Sequence, residues 1–289
     1  MITVSAARAL TDADASKLKN QRVDALNPNT FEGHPLQVVD ADTGSPVMLL
    51  ARAETEDVHQ LTGAAAAHSK HFGQGVVRAG GMRSRSAIFG YSAPQPQMSR
   101  PTVSAAAWAY LNPESHSTIA NYAESLDKIL TEFGPESVVD KHARVKEELH
   151  PDWRLKDTCW TSGIVNDTAN LYYHYDKNNI PGTWSAMIVL RAGVRGGHLH
   201  VADYNLTLPC NNGDILFFPG MSLVHGVTPI TRSLPSGFRY SVVYYSIKRF
   251  IGLDGIEGNV AKAQIRQAYL DETLLARQRK AGLLVEESK

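Results

Sequence analysis

The sequence predicts an α+β protein with a β-rich core in its C-terminal half and helices flanking that core. Two observations carry this prediction. Short apolar and β-branched runs, separated by Gly, Pro, Asn and Asp, follow one another from Thr158 to Lys248, and segments with apolar residues at helical spacing lie before and after them. Strands at such spacing are typical of a sandwich, a jelly roll or a barrel.

The chain of 289 residues has an ordinary hydrophobic content of 43% and no internal repeat, which favours one folded unit. We divide this single domain, residues 1–289, into three parts. Residues 1–157 form an N-terminal extension of helices and strands that includes an active-site loop, residues 158–250 form the β-rich core, and residues 256–283 form a C-terminal helix.

The composition argues against several classes of protein. Lys and Arg together number 29, as do Asp and Glu, so the overall basic character of many nucleic-acid-binding proteins is absent and any basic groove must be local. Only Cys159 and Cys210 are present, which argues against a disulfide-stapled secreted domain and fits no zinc ribbon. Without a signal-peptide pattern or a long apolar run, the sequence predicts a cytoplasmic protein with no membrane span and no evident protein partner.

The first elements are predicted from turn residues and charge order. The stretch "HPLQVVDADTGSPVMLLARA" predicts two strands around an Asp-Thr-Gly-Ser turn. The next stretch, "AETEDVHQLTGAAAAHSKHF", has acidic residues early and basic residues late, which favours a helix. From Gly73 to Pro101 the chain is rich in Gly, Ser, Pro and Arg, and we predict a loop, either an ordered active-site loop or a linker.

Two further helices are predicted before the core. The stretch "SHSTIANYAESLDKILTEFG" has apolar residues at helical spacing and closes at Gly134 and Pro135. A second helical pattern covers residues 136–149 and ends where Pro151 follows His150. We therefore interpret His150-Pro151-Asp152 as a helix terminus rather than a pair of metal ligands.

The β-rich core consists of five quoted runs: "CWTSGIVN", "WSAMIVLRA", "GGHLHVADYNLTL", "GDILFFPGMSLVHGVTPI" and "FRYSVVYYSIKRF". Each is short, apolar or β-branched, and bounded by turn residues, which is typical of strands. The last pattern of the chain, "NVAKAQIRQAYLDETLLARQRKAG", predicts a charged structural helix that packs outside the sheet.

A candidate metal site starts from His174 and Asp176, which share one face if the segment is a strand. The pattern alone is weak, because a chain of this composition contains about half an instance of His-x-Asp by chance. His225 is the candidate third ligand. Two His and one carboxylate suit non-haem Fe(II), which keeps positions open for a cosubstrate and O2, and Zn with a water is the alternative.

An arginine follows His225 in the last predicted strand. Arg239 is costly among apolar residues unless it meets an anion, and its planar guanidinium suits a carboxylate. Ser241 shares its face, so the two residues could hold one end of a dicarboxylate whose other end chelates iron. The alternative is pairing with a protein carboxylate such as Asp214. His198 and His200 form a rival pair without an obvious third ligand, and we interpret them as surface or supporting histidines.

The order of these motifs resembles a known fold. The series "YHYD", "GTWSAMIVL", "GGHL", "NNGDILFFPG", "HGVTPI" and "RYSVVYY" is similar to the double-stranded β-helix, or jelly-roll, core of Fe(II)/2-oxoglutarate dioxygenases. Within these it is most similar to the Tet/JBP group, which oxidises the 5-methyl group of 5-methylcytosine or thymine in nucleic acid and has relatives in phage and bacteria. The resemblance covers about residues 158–248, and "RSRSAIFGYSAP" is more loosely similar to the group's N-terminal active-site element.

The resemblance assigns roles to individual residues. His174, Asp176 and His225 would ligate Fe(II), and Arg239 and Ser241 would hold the distal carboxylate of 2-oxoglutarate. Asn179 and Tyr245 would contact the substrate base, with Arg83 at the substrate and Arg85 at 2-oxoglutarate. Where Tet enzymes carry a base-contacting histidine this chain has Ile247, which leaves the identity of the base open.

The resemblance implies an enzyme that uses Fe(II), 2-oxoglutarate and O2 to hydroxylate 5-methylcytosine in DNA to 5-hydroxymethylcytosine, with further oxidation open. The target base would be flipped out of the duplex, because a stacked base cannot reach a buried metal. Tyr173, Tyr175 and Trp184 are further stacking candidates, and Arg78, Arg100 and Lys177 are candidates for phosphate contacts. The alternatives are a 2-oxoglutarate oxygenase that acts on thymine in DNA, on a small molecule or on a protein side chain, and a binding module without catalysis.

Overall fold

The computed structural model describes residues 1–77, 83–98 and 100–280, without the side chains of 74–77, 83, 98 and 279. The strands are β1 (Ile2–Ala6), β2 (Leu36–Asp40), β3 (Pro46–Arg52), β4 (Gly73–Val77), β5 (Arg83–Ser92), β6 (Ser104–Ala105), β7 (Ser162–Asp167), β8 (Ser185–Ala192), β9 (Val194–Gly196), β10 (Leu199–Val201), β11 (Leu206–Leu208), β12 (Asp214–Phe218), β13 (His225–Val227), β14 (Ile230–Arg232) and β15 (Phe238–Tyr245). The helices are α1 (Asp12–Lys17), α2 (Thr55–His68), α3 (Trp108–Leu111), α4 (Pro113–Asn121), α5 (Ala123–Phe133), α6 (Glu136–Glu148) and α7 (Ile256–Lys280).

Two facing sheets form the core of the molecule. The major sheet has the order β1-β2-β3-β12-β8-β15-β7-β5-β4, and β6 pairs with β5. The minor sheet has the order β11-β10-β13, and β14 pairs with β9 beside it. All strand pairs are antiparallel except β1 with β2.

The alternation of side chains along the strands divides the interior into layers. Ile188 and Leu190 of β8 pack with the helices, whereas Met187 and Val189 of the same strand pack with the minor sheet. On the outer side of the minor sheet, a third cluster joins the N-terminal segment to the core. The layers are therefore helices, major sheet, minor sheet and N-terminal segment.

Most predicted elements are confirmed at nearly the expected bounds. The two strands around the Asp-Thr-Gly-Ser turn are β2 and β3, the helix after them is α2, and the five β-rich runs contain β7, β8 and β10 to β13 together with β15. Helix α6 ends at Glu148, and Pro151 opens a short 3-10 turn, as expected for a helix terminus.

The predicted loop between Gly73 and Pro101 is wrong, because it contains β4 and the ten-residue β5. Strand β5 pairs with β7 from Arg85 opposite Asp167 to Gly90 opposite Ser162. Its Ser84 and Ser86 are buried on one face while Arg85 is exposed on the other. Pairing with a core strand therefore outweighs a composition that is typical of loops, since the serines face a polar interior.

The predicted helix over residues 115–134 is divided in two. Tyr122 separates α4 from α5, and the second part ends at Phe133 before Gly134, as expected. Helix α7 covers most of the predicted 256–283, and residues 281–283 lie outside the described part. No side chain described in α7 is buried, so this helix does not pack an apolar face on the sheet. None of the helices in the described ranges is long and apolar enough to cross a membrane.

Candidate active site

His174, Asp176 and His225 form one cluster at the end of the space between the two sheets. Their ligand atoms all lie within 4.8 Å of one another. The His174 Nε2 atom lies 3.8 Å from Asp176 Oδ1, and the His225 Nε2 atom lies 3.9 Å from Asp176 Oδ2. Separations of this size suit donors that surround one ion rather than donors that bond to each other. Among the described residues this is the one cluster of three such groups.

Carbonyl oxygens hold both histidine rings in the orientation that a metal ligand needs. His174 Nδ1 lies 2.7 Å from the Tyr172 oxygen, and His225 Nδ1 lies 2.9 Å from the Leu223 oxygen. A carbonyl only accepts, so in each neutral ring Nδ1 carries the proton and Nε2 keeps a free lone pair. Burial, and the neighbouring His174 ring, lower the pKa of His225 to about 4, which keeps it neutral at pH 7.

Backbone contacts fix the spacing of the three ligands. His174 and His225 form a two-way antiparallel bridge with N···O distances of 2.9 and 3.1 Å. The Asp176 N–H donates to the Gly220 oxygen at 2.9 Å, and a Cβ at position 220 would lie 2.4 Å from Asp176 Oδ2. Glycine at 220 therefore leaves room for the carboxylate. His174 and Asp176 lie in an irregular segment and not in the regular strand that was assumed.

Arg239 is a buried cation that lies beside the Cys210 thiol and pairs with no described carboxylate. Its side chain is 0% exposed, and none of its three nitrogens has a hydrogen-bond partner among the described residues. Asp214, the carboxylate considered as its partner, instead accepts from Arg52 at 3.0 Å. Because an unpaired buried charge is very costly, this guanidinium requires an anion. Burial already lowers the pKa of Arg239 from its ordinary value.

The residues around Arg239 also suit an anionic ligand. A Cβ at Gly197 would lie 2.7 Å from Arg239 Cδ, so the glycine is what admits the arginine side chain. Burial, together with the nearby positive charges of Arg191 and Arg239, lowers the pKa of His198 to about 4. Ser241 shares the face of Arg239 on β15 and lines the pocket that holds the metal cluster.

Asn166 is a site residue that the sequence analysis did not identify. It is buried on β7 opposite both Ser86 of β5 and Ser241 of β15, and its Nδ2 lies 3.5 Å from Ser241 Oγ. The three residues make a polar row across neighbouring strands beside the metal cluster. An asparagine alternating with apolar residues in "SGIVND" was the available signal.

The cluster opens into a pocket of about 600 Å³, within the range of small-molecule sites. Asn179, Tyr245 and Ile247 all line this pocket. Asn179 is buried, its Nδ2 donates to Ser185 Oγ at 3.0 Å, and its backbone forms a bridge with Ile247. Asn179 and Tyr245, which the resemblance assigns to the base, therefore line the same pocket as the metal cluster.

The structure places the other candidates differently. Arg85 lies on the far face of β5, where it pairs with Asp167 at 3.4 Å and donates to the Ser69 oxygen, so it does not line the pocket. The side chain of Arg83, like all of Arg78, lies outside the described part of the chain. Trp184 is buried among the helices, whereas Tyr173 and Tyr175 line the pocket.

The rival histidines take supporting positions. His198 Nδ1 accepts from the Cys210 N–H at 3.2 Å, and His200 Nδ1 lies 2.9 Å from Thr207 Oγ1. Both are held by neighbours in or next to the strands β10 and β11. A second groove, of about 640 Å³, runs along β1, but of its described lining residues only Glu32 is charged. The pocket that contains His174, Asp176 and His225 is therefore the better candidate for an active site.

The N-terminal segment is hydrogen-bonded to the loop that carries His174 and Asp176, two of the three candidate metal ligands. The Asn20 N–H donates to the Tyr173 oxygen at 2.8 Å, and the Tyr173 N–H donates to the Gln21 oxygen at 3.0 Å. Ser16 Oγ and Tyr175 OH lie 3.0 Å apart, and Arg22 donates to Tyr172 OH at 3.0 Å. The segment 16–22 therefore lies beside the pocket and contributes Lys19 to its lining, which no local motif indicated.

The chain is similar in sequence to one known protein and in fold to solved structures. No protein-family model matches the chain. It is 27% identical over 118 residues to the bifunctional helicase and thymine dioxygenase JBP2 of Trypanosoma brucei brucei (strain 927/4 GUTat10.1). That match covers 41% of this chain and 11% of JBP2, so the chain corresponds to only a small part of the relative.

A solved structure supports the fold assignment. NgTET1 in complex with 5mC DNA superimposes with a TM-score of 0.59 and 17% sequence identity, over 88% of this chain and 99% of the NgTET1 chain. The predicted α+β fold with a double-stranded β-helix core and flanking helices is confirmed. The resemblance to the Tet/JBP group is confirmed as well, by sequence in JBP2 and by fold in NgTET1.

Proposed function

We propose that this chain is an Fe(II)- and 2-oxoglutarate-dependent dioxygenase that hydroxylates the 5-methyl group of 5-methylcytosine in DNA. The observation that carries the proposal is the buried Arg239 guanidinium, which has no described carboxylate partner and shares a face of β15 with Ser241, a residue that lines the pocket of the His174, Asp176 and His225 cluster. One site then offers ligands for iron and a counter-charge for a dicarboxylate. 2-Oxoglutarate satisfies both requirements, since it chelates metal at one end and carries a carboxylate at the other.

The residues of the candidate site suit Fe(II) and 2-oxoglutarate. Two imidazoles and one carboxylate are the donor set of non-haem Fe(II) enzymes, which leave positions open for a cosubstrate and O2. Bound Fe(II) with 2-oxoglutarate and O2 supplies the oxidation of an unactivated methyl group to an alcohol. The protein would hold the metal through the two fixed imidazole rings and Asp176. Arg239 would neutralise the distal carboxylate of 2-oxoglutarate, and the apolar walls of the pocket would limit the access of water to the site.

Asn179 supports 5-methylcytosine as the base. Because its Nδ2 already donates to Ser185 Oγ at 3.0 Å, the amide oxygen is the end available to a ligand. A free acceptor suits the exocyclic amine of cytosine. The sequence relative JBP2 is named a thymine dioxygenase, and thymine is the second candidate. A rotated Asn179 amide, with Ser185 donating to it, would present an NH2 group to the thymine carbonyl instead.

One assay distinguishes 5-methylcytosine from thymine as the substrate base. The purified protein is incubated with Fe(II), ascorbate and 2-oxoglutarate, with DNA that contains either 5-methylcytosine or only unmodified bases, and the DNA is digested to nucleosides for mass spectrometry. Gain of one oxygen atom on 5-methylcytosine is the expected result. Gain on thymine in both DNAs would establish the second candidate. Succinate release without a modified base would contradict both and indicate a small-molecule or protein substrate.

A further inference from the structure

The mouth of the pocket is positively charged although the chain as a whole is neutral. The described lining residues with charged side chains are Lys19, Asp176, Lys177 and Arg249. Asp176 is committed to the metal cluster, so the remaining charges at the mouth are all cationic. In a chain with 29 basic and 29 acidic residues, this local excess points to an anionic ligand.

Lys19 and Lys177 approach each other from two separate parts of the chain. Lys177 directly follows the metal ligand Asp176, and Lys19 comes from the N-terminal segment that is bonded to Tyr173 through Asn20 and Gln21. Both lysines line the same pocket. Neither lysine has an ion pair with a described carboxylate, in contrast to Lys17, which pairs with Asp14 at 2.7 Å.

Bringing two ammonium groups together is unfavourable unless an anion lies between them. Two main-chain hydrogen bonds, both made by Tyr173, nevertheless hold the segment that carries Lys19 beside the segment that carries Lys177. Tyr172 and Tyr175 line the same mouth beside the two lysines. Cations next to aromatic rings are the combination by which proteins hold a nucleic-acid strand, the cations at the phosphates and the rings at the bases.

We propose that Lys19 and Lys177 together bind one backbone phosphate of the DNA strand, next to the nucleotide whose base enters the pocket. The inference rests on the proposed function, because a flipped nucleotide brings its flanking phosphates to the pocket mouth. Lysine suits this role since an ammonium group acts as a mobile point charge toward phosphate. The N-terminal segment is thereby part of the substrate site and not only a structural support.

The test measures binding separately from turnover. Fluorescence anisotropy is recorded anaerobically, with Fe(II) and 2-oxoglutarate bound, on a short labelled single strand that contains one 5-methylcytosine. The double variant Lys19→Gln/Lys177→Gln is compared with wild type over a series of salt concentrations. Its affinity at low salt should fall roughly tenfold, and the slope of log affinity against log salt should shrink by about one.

Lys17→Gln is the matched control, because Lys17 lies two residues away on the same segment and already pairs with Asp14. This control should keep the wild-type affinity and salt slope. A double variant that binds with wild-type affinity and slope would overturn the lysine clamp, even if wild type oxidises 5-methylcytosine. Failure of wild type to oxidise DNA, with the lysine effect on binding intact, would instead overturn the proposed reaction and leave the clamp standing. Absence of any wild-type binding would overturn both.

Discussion

His174 can be removed with little cost to the fold, because its side chain is 28% exposed and packs against no large apolar cluster. We expect His174→Ala to lose Fe(II) binding, since only Asp176 and His225 would remain as ligands. Turnover should be abolished, while the melting temperature of the metal-free protein should shift by no more than about 2 °C. Metal content after anaerobic loading and a thermal scan of the metal-free protein measure the two effects.

His59→Ala serves as the control for this change, because His59 is an exposed histidine of α2 outside the pocket. It should load Fe(II) like wild type. If His174→Ala also bound Fe(II) like wild type, the assignment of the metal ligands would be wrong. Loss of folding together with iron would favour the interpretation of the cluster as a structural element.

Arg239 gives a prediction in which binding and stability change in opposite directions. Arg239→Met replaces a buried, unpartnered cation with an apolar side chain of similar length, which is often neutral or stabilising. We expect the protein without 2-oxoglutarate to melt at the same temperature or higher. The stabilisation that 2-oxoglutarate gives wild type, about 2.7 kcal/mol at a hundredfold excess over its dissociation constant, should be lost.

Thermal scans with and without 2-oxoglutarate measure both parts of this prediction. Arg52→Met is the matched control, because Arg52 pairs with Asp214 and its side chain is half exposed. It should retain the full response to 2-oxoglutarate. A large loss of stability in Arg239→Met without the ligand would mean that the guanidinium has an internal partner after all.

At the scale of elements, His142 joins α6 to the core strands. Its Nε2 accepts from the Trp184 N–H at 2.9 Å, and its Nδ1 lies 3.1 Å from the Cys159 sulfur. Burial lowers the pKa of His142 from 6.5 to about 4. Because the unfolded chain takes up the proton first, the stabilisation is complete above pH 6.5 and is lost as the pH falls toward 4.

His142→Gln tests this linkage, because glutamine keeps an acceptor for the Trp184 N–H and does not titrate. Between pH 7 and pH 5 the wild-type free energy of unfolding should fall by about 2 kcal/mol more than that of the variant. Urea denaturation at the two pH values measures the difference, with His59→Gln as the exposed control. Equal pH dependence in wild type and His142→Gln would show that His142 is not buried in its neutral form.

The sequence predicted those elements whose own residues decide their structure, and it failed where distant residues decide. Strands β2 and β3 follow from local turn chemistry, and the three candidate metal ligands, which the structure brings together, were selected by residue type and order. Strand β5 was assigned to a loop because its serines and arginines become strand residues only through pairing with β7. The segment of Lys19 and Gln21 reaches the mouth of the pocket through main-chain hydrogen bonds with Tyr173, which is far along the chain. No local sequence pattern predicts such contacts.

At the scale of the whole molecule, α7 extends from a core that is complete without it. Its attachment is at its start, where Asn259 makes hydrogen bonds of 2.9 and 3.1 Å with the backbone of Val103. We expect a chain that ends after Lys262 to melt within about 2 °C of wild type, because α7 buries no described side chain. Thermal unfolding of the shortened protein measures this.

Asn259→Ala in the full chain is the contrasting variant. It removes both bonds to Val103 and should cost about 1 kcal/mol for each, lowering the melting temperature by roughly 2–6 °C. A shortened chain that unfolds well below Asn259→Ala would show that the rest of α7 packs on the core.

The bond between Tyr173 and the N-terminal segment also determines when the pocket can form during synthesis. Asn20 and Gln21 leave the ribosome long before Tyr173, and at about 5–20 residues per second they wait roughly 8 to 30 seconds for their partner. His225 and Arg239 emerge later still. The pocket therefore cannot form while most of the chain is being translated, and it is completed only when the N-terminal segment meets strands from the C-terminal half.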